Sequence, residues 1–264
     1  MSDLAAKARL LLRMHDDVAV LPTAWDAWSA RTLVDAGFGA ISVGSHPVAE
    51  SRGQRDGEGM SLDDALESVA RITASVDVPV SADLESGYGA EPAELIARLL
   101  EAGAVGLNIE DTVHSEQRMR EPQEHADFIA GLRAAADEAR VDVVINARTD
   151  AFARPELHGG DPLDHAVLRC LLMEQAGARS LYPVSPPDAA ALAAIVAQVT
   201  LPVNATAHPV SGTVFGGLAD TRAAGIRRVT FGPRLQRALG ETIGELVEPW
   251  RAGAGRSAPA ASAP

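Results

Sequence analysis

The sequence predicts one (β/α)8 barrel, or TIM barrel, over residues 1–251. The first observation is an alternation of short β-branched runs with helical patterns, which is typical of a parallel sheet covered by helices. The second is that eight such units over about 250 residues match a closed barrel better than an open doubly wound sheet. The third is that no G-x-G-x-x-G motif follows the first run, which argues against a dinucleotide-binding fold.

The predicted strands are separated by helical segments that end in recognisable signals. Four helical patterns end in an Ala-Gly pair, and glycine is favoured there because it adopts the left-handed conformation without steric cost. These glycines are Gly37, Gly103, Gly177 and Gly225. Apolar residues at helical spacing predict amphipathic helices over 94–101 and 124–139. In chain order, the predicted strands are 18–21, 40–43, 78–80, 105–109, 143–146, 180–182, 201–204 and 228–231.

The chain is expected to end in an eighth helix and a segment outside the fold. Leucine, isoleucine and valine recur at helical spacing between positions 234 and 250. Residues 252–264 are almost entirely alanine, proline, serine and glycine, a composition that buries too little apolar area to become ordered. We therefore predict a single domain over 1–251 and a disordered tail over 252–264.

Composition and charge argue against several classes of protein. With 264 residues, of which 47% are hydrophobic, the chain can bury a sizeable core. The net charge of −13 argues against a nucleic acid partner, whose phosphates require a basic surface. The first residues lack the pattern of a secretory signal, and no apolar run approaches the roughly 20 residues that span a membrane. The single cysteine, Cys170, lies in an apolar helical stretch, so we expect a packed thiol and a cytoplasmic location.

Asp83 and Glu85 form the clearest candidate site. They follow an apolar run, and residues two apart in a strand point to the same side. Two carboxylates held together repel unless a cation or a proton lies between them, and Mg²⁺ prefers carboxylate oxygens. The alternative is an acidic turn after a strand. Barrel enzymes place their catalytic residues at the C-terminal ends of the strands, so the other residues expected there are also candidates. They include Trp25, Gly44, Ser45, Asp56, Asn108, Glu110, Asp111, Asn146, Arg148, Asp150 and Asn204.

Five segments together resemble the isocitrate lyase and phosphoenolpyruvate mutase superfamily. The segments are P-T-A-W-D at 22–26, the loop that reaches Asp56, D-L-E-S-G-Y-G at 83–89, G-L-N-I-E-D at 106–111 and I-N-A-R-T-D-A-F at 145–152. The resemblance covers about residues 18–235, and the order and spacing of the segments make it specific. It implies cleavage or formation of a bond to C3 of a pyruvate unit, through a pyruvate enolate that a metal ion stabilises.

The resemblance also implies roles for particular residues. Asp83 is expected to bind Mg²⁺, or Mn²⁺ in its place, directly, while the carboxylates Glu85, Glu110 and Asp56 hold metal-bound waters. Arg148 is expected to bind substrate oxygens bidentately. The expected catalytic residues are Arg148, Asp56 and Glu110, and the expected substrate-binding residues are Trp25, Gly44, Ser45, Arg148 and Asn204.

The sequence departs from the family pattern in two places. Segment 112–121 lacks the cysteine that isocitrate and methylisocitrate lyases carry in their gating loop, so neither a true isocitrate lyase nor a true methylisocitrate lyase is expected. Val184 stands where relatives have a glutamate or histidine. Arg118 and Arg120 either grip a substrate carboxylate or phosphonate when the loop closes, or are solvated loop charges. Family members commonly exchange the eighth helix between subunits, which implies a homodimer or homotetramer; the alternative is a helix packed on its own barrel.

Three functional hypotheses remain open from the sequence. The first is a Mg²⁺-dependent lyase that cleaves a C–C bond in, or decarboxylates, a small 2-oxo or 2-hydroxy dicarboxylic acid. The second is P–C bond chemistry, as in a phosphonopyruvate hydrolase or a phosphoenolpyruvate mutase. The third is a catalytically silent barrel that binds a metabolite. The expected partner is a small anionic oxo-acid, with neither nucleic acid nor membrane.

Overall fold

The computed structural model of the protein describes residues 2–251, so Met1 and the predicted tail at 252–264 lie outside the described residues. Its strands are β1 (Ala19–Leu21), β2 (Thr23–Ala24), β3 (Ile41–Val43), β4 (Val80–Asp83), β5 (Gly106–Ile109), β6 (Thr112–Val113), β7 (Arg118–Met119), β8 (Val144–Thr149), β9 (Ser180–Pro183), β10 (Asn204–Thr206) and β11 (Arg228–Thr230). Its α-helices are α1 (Ser2–Met14), α2 (Ala27–Asp35), α3 (Ser45–Ser51), α4 (Leu62–Thr73), α5 (Pro92–Glu101), α6 (Pro122–Glu138), α7 (Pro162–Gln175), α8 (Ala189–Val196), α9 (Leu218–Ala223) and α10 (Arg234–Arg251).

The parallel strands pair in the order of the chain. One sheet has the order β2-β3-β4-β5-β8-β9, and a second has the order β1-β11-β10. The two sheets are linked at both ends. β1 and β2 are one chain segment interrupted at Pro22, and a parallel bridge joins Leu181 of β9 with Val203, which precedes β10. Strands β6 and β7 form a separate antiparallel hairpin between β5 and α6. This arrangement confirms the predicted (β/α)8 fold.

The predicted elements are confirmed, with one shift that concerns the site. All four predicted helix-end glycines have positive φ, between 83° and 96°. The seventh strand was expected over 201–204 but is observed at Asn204–Thr206, so Asn204 begins the strand instead of ending it. Pro202 lacks an N–H group to donate to a neighbouring strand, which explains why regular pairing begins after it. Asn204 therefore lies inside the barrel and not at the strand end.

Helix α1 packs against the N-terminal end of the barrel. A methyl group built on Gly106 of β5 would lie 3.1 Å from Cδ2 of Leu11, so helix and strand approach closely there. Arg228 is fully buried beneath this helix, and its Nη2 donates to Ser81 Oγ at 2.8 Å. Burial lowers the pKa of Arg228 to about 10, and burial beside this arginine lowers the pKa of His15 to about 4. This end of the barrel is closed, which leaves the C-terminal ends of the strands for chemistry.

Helix α10 differs from every other long helix because none of its residues is buried. Its apolar side chains Ile243, Leu246, Val247 and Trp250 are between 51% and 81% exposed. The alternative of an eighth helix packed on its own barrel is therefore wrong for most of α10. Only its first turn is attached, since Gln236 Nε2 donates to the carbonyl of Pro47 at 3.0 Å. Among residues 2–251, no helix combines the length and the apolar content that crossing a membrane requires.

Candidate active site

Asp83, Asn108 and Asn146 stand side by side on β4, β5 and β8. The strand register places them directly opposite one another, and Ser180 of β9 continues the row. Ser180 Oγ donates to Asn146 Oδ1 at 2.7 Å, and Asn146 Nδ2 donates to Asn108 Oδ1 at 2.8 Å. Because the oxygen of Asn108 is already an acceptor, its amide nitrogen remains to face Asp83. A row of buried hydrogen bonds therefore orients the group beside the predicted metal ligand.

The Asp83 carboxylate keeps most of its acceptor capacity. Its Oδ1 accepts from the backbone N–H of Glu85 at 3.2 Å. Burial raises the pKa of Asp83, Arg148 opposes this rise, and the negative charge of Asp56 adds to it. A cation bound here would therefore stabilise a carboxylate that is otherwise costly to ionise.

The Glu85 side chain lies in the same region as Asp83, but its backbone conformation differs from the one that the sequence predicted. It lies past the end of β4 with φ +47°, so a turn and not strand alternation directs its side chain. Its carboxylate accepts from the Tyr88 hydroxyl at 2.8 Å and from the Glu58 backbone N–H at 2.5 Å. Burial, with the charges of Asp56 and Asp83, raises its pKa to about 7. These contacts fix the loop that carries Glu58 against the end of β4.

Glu110 and Arg148 form the centre of the site. Oε2 of Glu110 lies 2.5 Å from Nη1 of Arg148, and Oε1 lies 2.5 Å from Nε2 of His114. Arg148 Nε also donates to Asp150 Oδ1 at 2.7 Å. Burial raises the pKa of Glu110 to about 8, although Arg148 opposes the shift. Burial disfavours the charge of Arg148, but Asp150 and Glu110 hold its pKa above the ordinary value.

A buried ion pair holds Asp150, the residue that contacts Arg148. Asp111 is fully buried and pairs with Nη1 of Arg169 from α7 at 3.0 Å. The other oxygen of Asp111 accepts from the backbone N–H of Asp150 at 2.9 Å. Asp150 Oδ2 in turn accepts from the Thr112 hydroxyl at 2.7 Å. Asp150 is thus held on both its backbone and its side chain, so it can hold Arg148 in one position.

Asp56 and His114 line a cavity of about 440 Å³ beside these groups. Its lining residues are Asp56, Gly57, Thr112, His114, Gln117, Arg154, Glu156 and Leu157. Asp56 Oδ2 lies 3.1 Å from Nδ1 of His46, so the predicted catalytic carboxylate already has a side-chain partner. The cavity is large enough for a small organic acid and is walled mainly by polar groups.

The remaining predicted substrate-binding residues have contacts of their own. The N–H of Gly44 donates to the carbonyl of Ala24 at 3.3 Å, and buried Ser45 begins α3. Trp25 lines a different cavity of about 350 Å³, which residues of α2, α3 and α4 enclose. Asn204 is fully buried and donates to Thr230 Oγ1 at 3.0 Å, while its Oδ1 is a buried atom without a hydrogen-bond partner among the described residues.

The loop arginines have separate roles. Arg118 is exposed and pairs with Glu116 and Glu124, which agrees with a solvated loop charge. Arg120 is buried instead. Its guanidinium donates to the carbonyls of Glu110 and Ser86 at 3.1 and 2.9 Å, and lies 4.3 Å from the centroid of the Phe128 ring. Arg120 therefore fixes the backbone of the site, a role that neither alternative from the sequence described.

The residues present fit a hydrated magnesium ion. Among residues 2–251, no three or more His, Cys, Asp or Glu side chains are grouped as an all-protein metal cluster. Mg²⁺ usually keeps several waters and binds through one or two carboxylates with substrate oxygens, so such a cluster is not required. Both oxygens of Glu85 and of Glu110 have partners, whereas Asp83 has acceptor sites left. The donor set suits direct binding by Asp83 and water-mediated contact with the others.

The sequence marks Asp150 as a candidate without a specific role, and it does not single out His114, Tyr182 or Arg169. His114 stands four residues after Glu110, directly after the short strand β6, and its ring contacts that carboxylate. Tyr182 of β9 stands opposite Arg148 in the register, with its ring centroid 6.0 Å from the guanidinium carbon. Tyr182 is placed by strand register, and Arg169 is placed by the packing of α7 against Asp111. Both depend on tertiary packing, which a local sequence motif does not reveal.

Comparison with known proteins agrees with this fold. The family model described as phosphoenolpyruvate phosphomutase matches residues 9–249. A solved structure from Burkholderia cenocepacia J2315, which carries a provisional phosphonomutase assignment, is 37% identical with TM-score 0.81, over 92% of this chain and 99% of that one. The oxaloacetate decarboxylase of Rhodopseudomonas palustris (strain ATCC BAA-98 / CGA009) is 31% identical over 75% of this chain and 69% of its own. The 2-methylisocitrate lyase of Escherichia coli (strain K12) is 29% identical over 77% and 70%.

A (β/α)8 barrel with buried carboxylates and one arginine at its strand ends defines a class of lyases and mutases. The chain belongs to the phosphoenolpyruvate phosphomutase family, within the isocitrate lyase and phosphoenolpyruvate mutase superfamily of enzymes. The resemblance noted in the sequence is thereby confirmed.

Proposed function

We propose that the protein is a Mg²⁺-dependent lyase that cleaves a C–C bond in, or decarboxylates, a small 2-oxo or 2-hydroxy dicarboxylic acid through an enolate. A 2-oxo acid leaves a pyruvate enolate, whereas a 2-hydroxy acid releases a 2-oxo acid and leaves the enolate on the other fragment. The observation that carries the proposal is the setting of Arg148. Its Nη1 and Nε hold Glu110 and Asp150, while Nη2 has no partner in the described part of the chain. A fixed guanidinium with an available donor, next to Asp83, is suited to bind an oxygen that gains negative charge.

The residues of this chain have distinct tasks in that reaction. Asp83 would hold Mg²⁺ directly, and the ion would supply Lewis-acid withdrawal of electrons from the substrate. Arg148 orients the substrate, because Asp150 and Glu110 prevent its guanidinium from turning away. The hydrogen bond between Glu110 Oε1 and His114 Nε2 holds a proton beside the cavity, where an anionic product requires one. This pair would supply the proton that a loop cysteine supplies in other lyases.

P–C bond chemistry is the second candidate. It is favoured by the phosphoenolpyruvate phosphomutase family model and by the 37% identity to the Burkholderia protein with a provisional phosphonomutase assignment. The same anion site would bind the pyruvate half of phosphonopyruvate. The two candidates differ in the group that leaves, so product analysis separates them.

A substrate screen tests both candidates. Oxaloacetate, substituted malates, methylisocitrate and phosphonopyruvate are supplied with Mg²⁺, and release of pyruvate or of another 2-oxo acid is measured. We expect turnover that Asp83→Ala abolishes, while Asp16→Ala, an exposed aspartate at the opposite end of the barrel, retains it. Turnover by the Asp83→Ala protein would overturn the metal assignment. Oxalate binding without turnover of any compound would favour the silent metabolite-binding barrel.

We further propose that α10 packs against a second copy of the chain in a homodimer or homotetramer. An 18-residue amphipathic helix with an exposed apolar face is unstable alone in water. Trp28 of α2 and Leu218 of α9 are also exposed, at 55% and 47%, which offers apolar surface for a partner helix. We expect a solution mass of two or four chains. Leu246→Lys should lower this mass, whereas Glu245→Lys on the same helix should not; a monomeric wild-type protein would contradict the proposal.

A further inference from the structure

His46 lies between the candidate active site and helix α10. It is the second residue of α3, and both nitrogens of its ring have a partner. Nδ1 lies 3.1 Å from Oδ2 of Asp56, and Nε2 lies 3.2 Å from Nη2 of Arg237 in the first turn of α10. The imidazole therefore joins a carboxylate of the candidate active site to a helix that is otherwise exposed.

These two contacts require one tautomer of the ring. A guanidinium donates hydrogen bonds but cannot accept them, so Nε2 accepts from Arg237. The proton of the neutral ring is then on Nδ1, where it donates to Asp56. The exposed carboxylate of Glu50 lies 3.7 Å from Nε2, which is beyond hydrogen-bonding distance. Arg237 thus determines which ring nitrogen is the donor.

The Asp56 side chain depends on His46 for its orientation. Among residues 2–251, His46 is the only cationic or imidazole side chain within salt-bridge distance of Asp56. The loop offers little restraint of its own, because Gly53 and Gly57 on either side of Asp56 both have positive φ. The negative charge of Asp56 raises the pKa of Asp83 and of Glu85, so its position affects both of these carboxylates.

The first turn of α10 contacts α3 twice. Besides the contact of Arg237 with His46, Gln236 Nε2 donates to the carbonyl of Pro47 at 3.0 Å. The later apolar residues of α10 are exposed, and in the proposed oligomer they pack against a second copy. Such packing would fix Arg237 and, through His46, the Asp56 carboxylate.

We propose that His46 is a positioning residue for Asp56, and that Arg237 keeps the imidazole proton on Nδ1 and so couples α10 to the active site. This inference deepens the proposed function, because it rests on the expected catalytic role of Asp56. The hydrogen bond from His46 holds the carboxylate of Asp56 in one orientation at the cavity. Neither His46 nor Arg237 has to touch the substrate for this role.

The tautomer of His46 is measured without a substrate. NMR of the protein with ¹⁵N-labelled histidine, at about pH 8 where an ordinary imidazole is neutral, shows which nitrogen carries the proton. The spectrum of His46→Asn assigns the signal. We expect the proton on Nδ1 in the wild-type protein and a mixture of both tautomers in Arg237→Met. Arg251→Met, at the far end of α10, is the matched control and should keep the wild-type tautomer.

A double-mutant cycle tests whether His46 acts through Asp56. With the substrate found in the screen, His46→Leu should lower kcat about tenfold or more, because a hydrogen bond to a charged group is lost. The KM should stay within about twofold. His46→Asn keeps an N–H donor near the position of Nδ1 and should recover most of the rate. In an Asp56→Ala background, His46→Leu should change kcat by less than about twofold, because its target is absent.

The outcomes separate this inference from the proposed function. A proton on Nε2 in the wild-type protein would overturn the inference, as would equal losses from His46→Leu with and without Asp56. No turnover of any compound by the wild-type protein would instead overturn the proposed function. In that case the tautomers of the wild-type and Arg237→Met proteins would still decide whether Arg237 sets the proton of His46.

Discussion

The two halves of the barrel mouth handle charge in opposite ways. At β4, β5 and β8, each buried carboxylate already has partners within the chain: Glu110 contacts Arg148 and His114, and Asp111 contacts Arg169. At β9, β10 and β11, Arg234 and Arg237 line an apolar cavity without carboxylate partners among residues 2–251. The first half is organised by ion pairs within the chain, whereas the two arginines of the second half have no carboxylate partner among residues 2–251. Substitutions in the first should therefore alter folding and rate, and substitutions in the second should leave folding largely unchanged.

Breaking the buried ion pair between Asp111 and Arg169 should have the largest effect on stability. In Asp111→Asn, Arg169 is left buried without its counter-charge, so we expect a loss of about 3–5 kcal/mol in the free energy of unfolding. Urea denaturation measures this loss. Asp17→Asn breaks an exposed pair with Arg222 and is the matched control, which should change stability little. Similar losses in both variants would show that the buried pair does not organise the site.

Arg148→Lys should lower kcat/KM by about 10²–10³, with little loss of stability. Lysine carries the charge, but it cannot hold Glu110 and Asp150 and still present a third nitrogen to the substrate. Steady-state kinetics with the substrate found in the screen measures the change. Arg222→Lys, at an exposed arginine that pairs with Asp17, is the control. A loss below about threefold would place substrate binding on other residues.

The pH dependence of stability should differ with and without Mg²⁺. Glu85 and Glu110 have pKa values near 7 and 8 because of burial, above those of an unfolded chain. The folded metal-free protein therefore holds protons that the unfolded chain has released, so this contribution to stability is lost as the pH rises through these values. The limiting slope is about 1.4 kcal/mol per pH unit for each group.

Melting temperatures between about pH 5.5 and 8.5 measure this effect, once in EDTA and once with magnesium chloride. In EDTA, the melting temperature should fall with rising pH. Mg²⁺ should raise it most at high pH, where the carboxylates are free of protons. Glu110→Gln cannot ionise at this position, so its slope in EDTA should be smaller. An equal shift by Mg²⁺ at every pH would contradict metal binding at these carboxylates.

The two halves also differ in how far the sequence predicts them. Asp83, Glu110 and Arg148 stand in compact motifs at strand ends, so strand count and motif together place them at one edge of the barrel. The sequence misplaced Asn204 by one strand boundary, because Pro202 delays regular pairing. Strand register places Tyr182 beside Arg148, and the first turn of α10 places Arg237 at the C-terminal end of the barrel. Arg169 contacts Asp111, which lies 58 residues earlier in the chain. Such contacts arise from packing between distant elements, which local spacing does not reveal.

The smallest effect is expected from Arg118→Ala. This variant tests whether the hairpin of β6 and β7 contacts the substrate or only its own glutamates. Arg118 is 43% exposed and pairs with Glu116 and Glu124, so its loss should cost about 0.2–1 kcal/mol of stability and leave KM within about twofold. Arg120→Met, two residues further on, should cost more stability, because this buried guanidinium holds the carbonyls of Glu110 and Ser86. Kinetics and urea denaturation of both variants make the comparison. A large rise in KM for Arg118→Ala would show that the hairpin closes on the substrate and that Arg118 exchanges its glutamates for a ligand carboxylate.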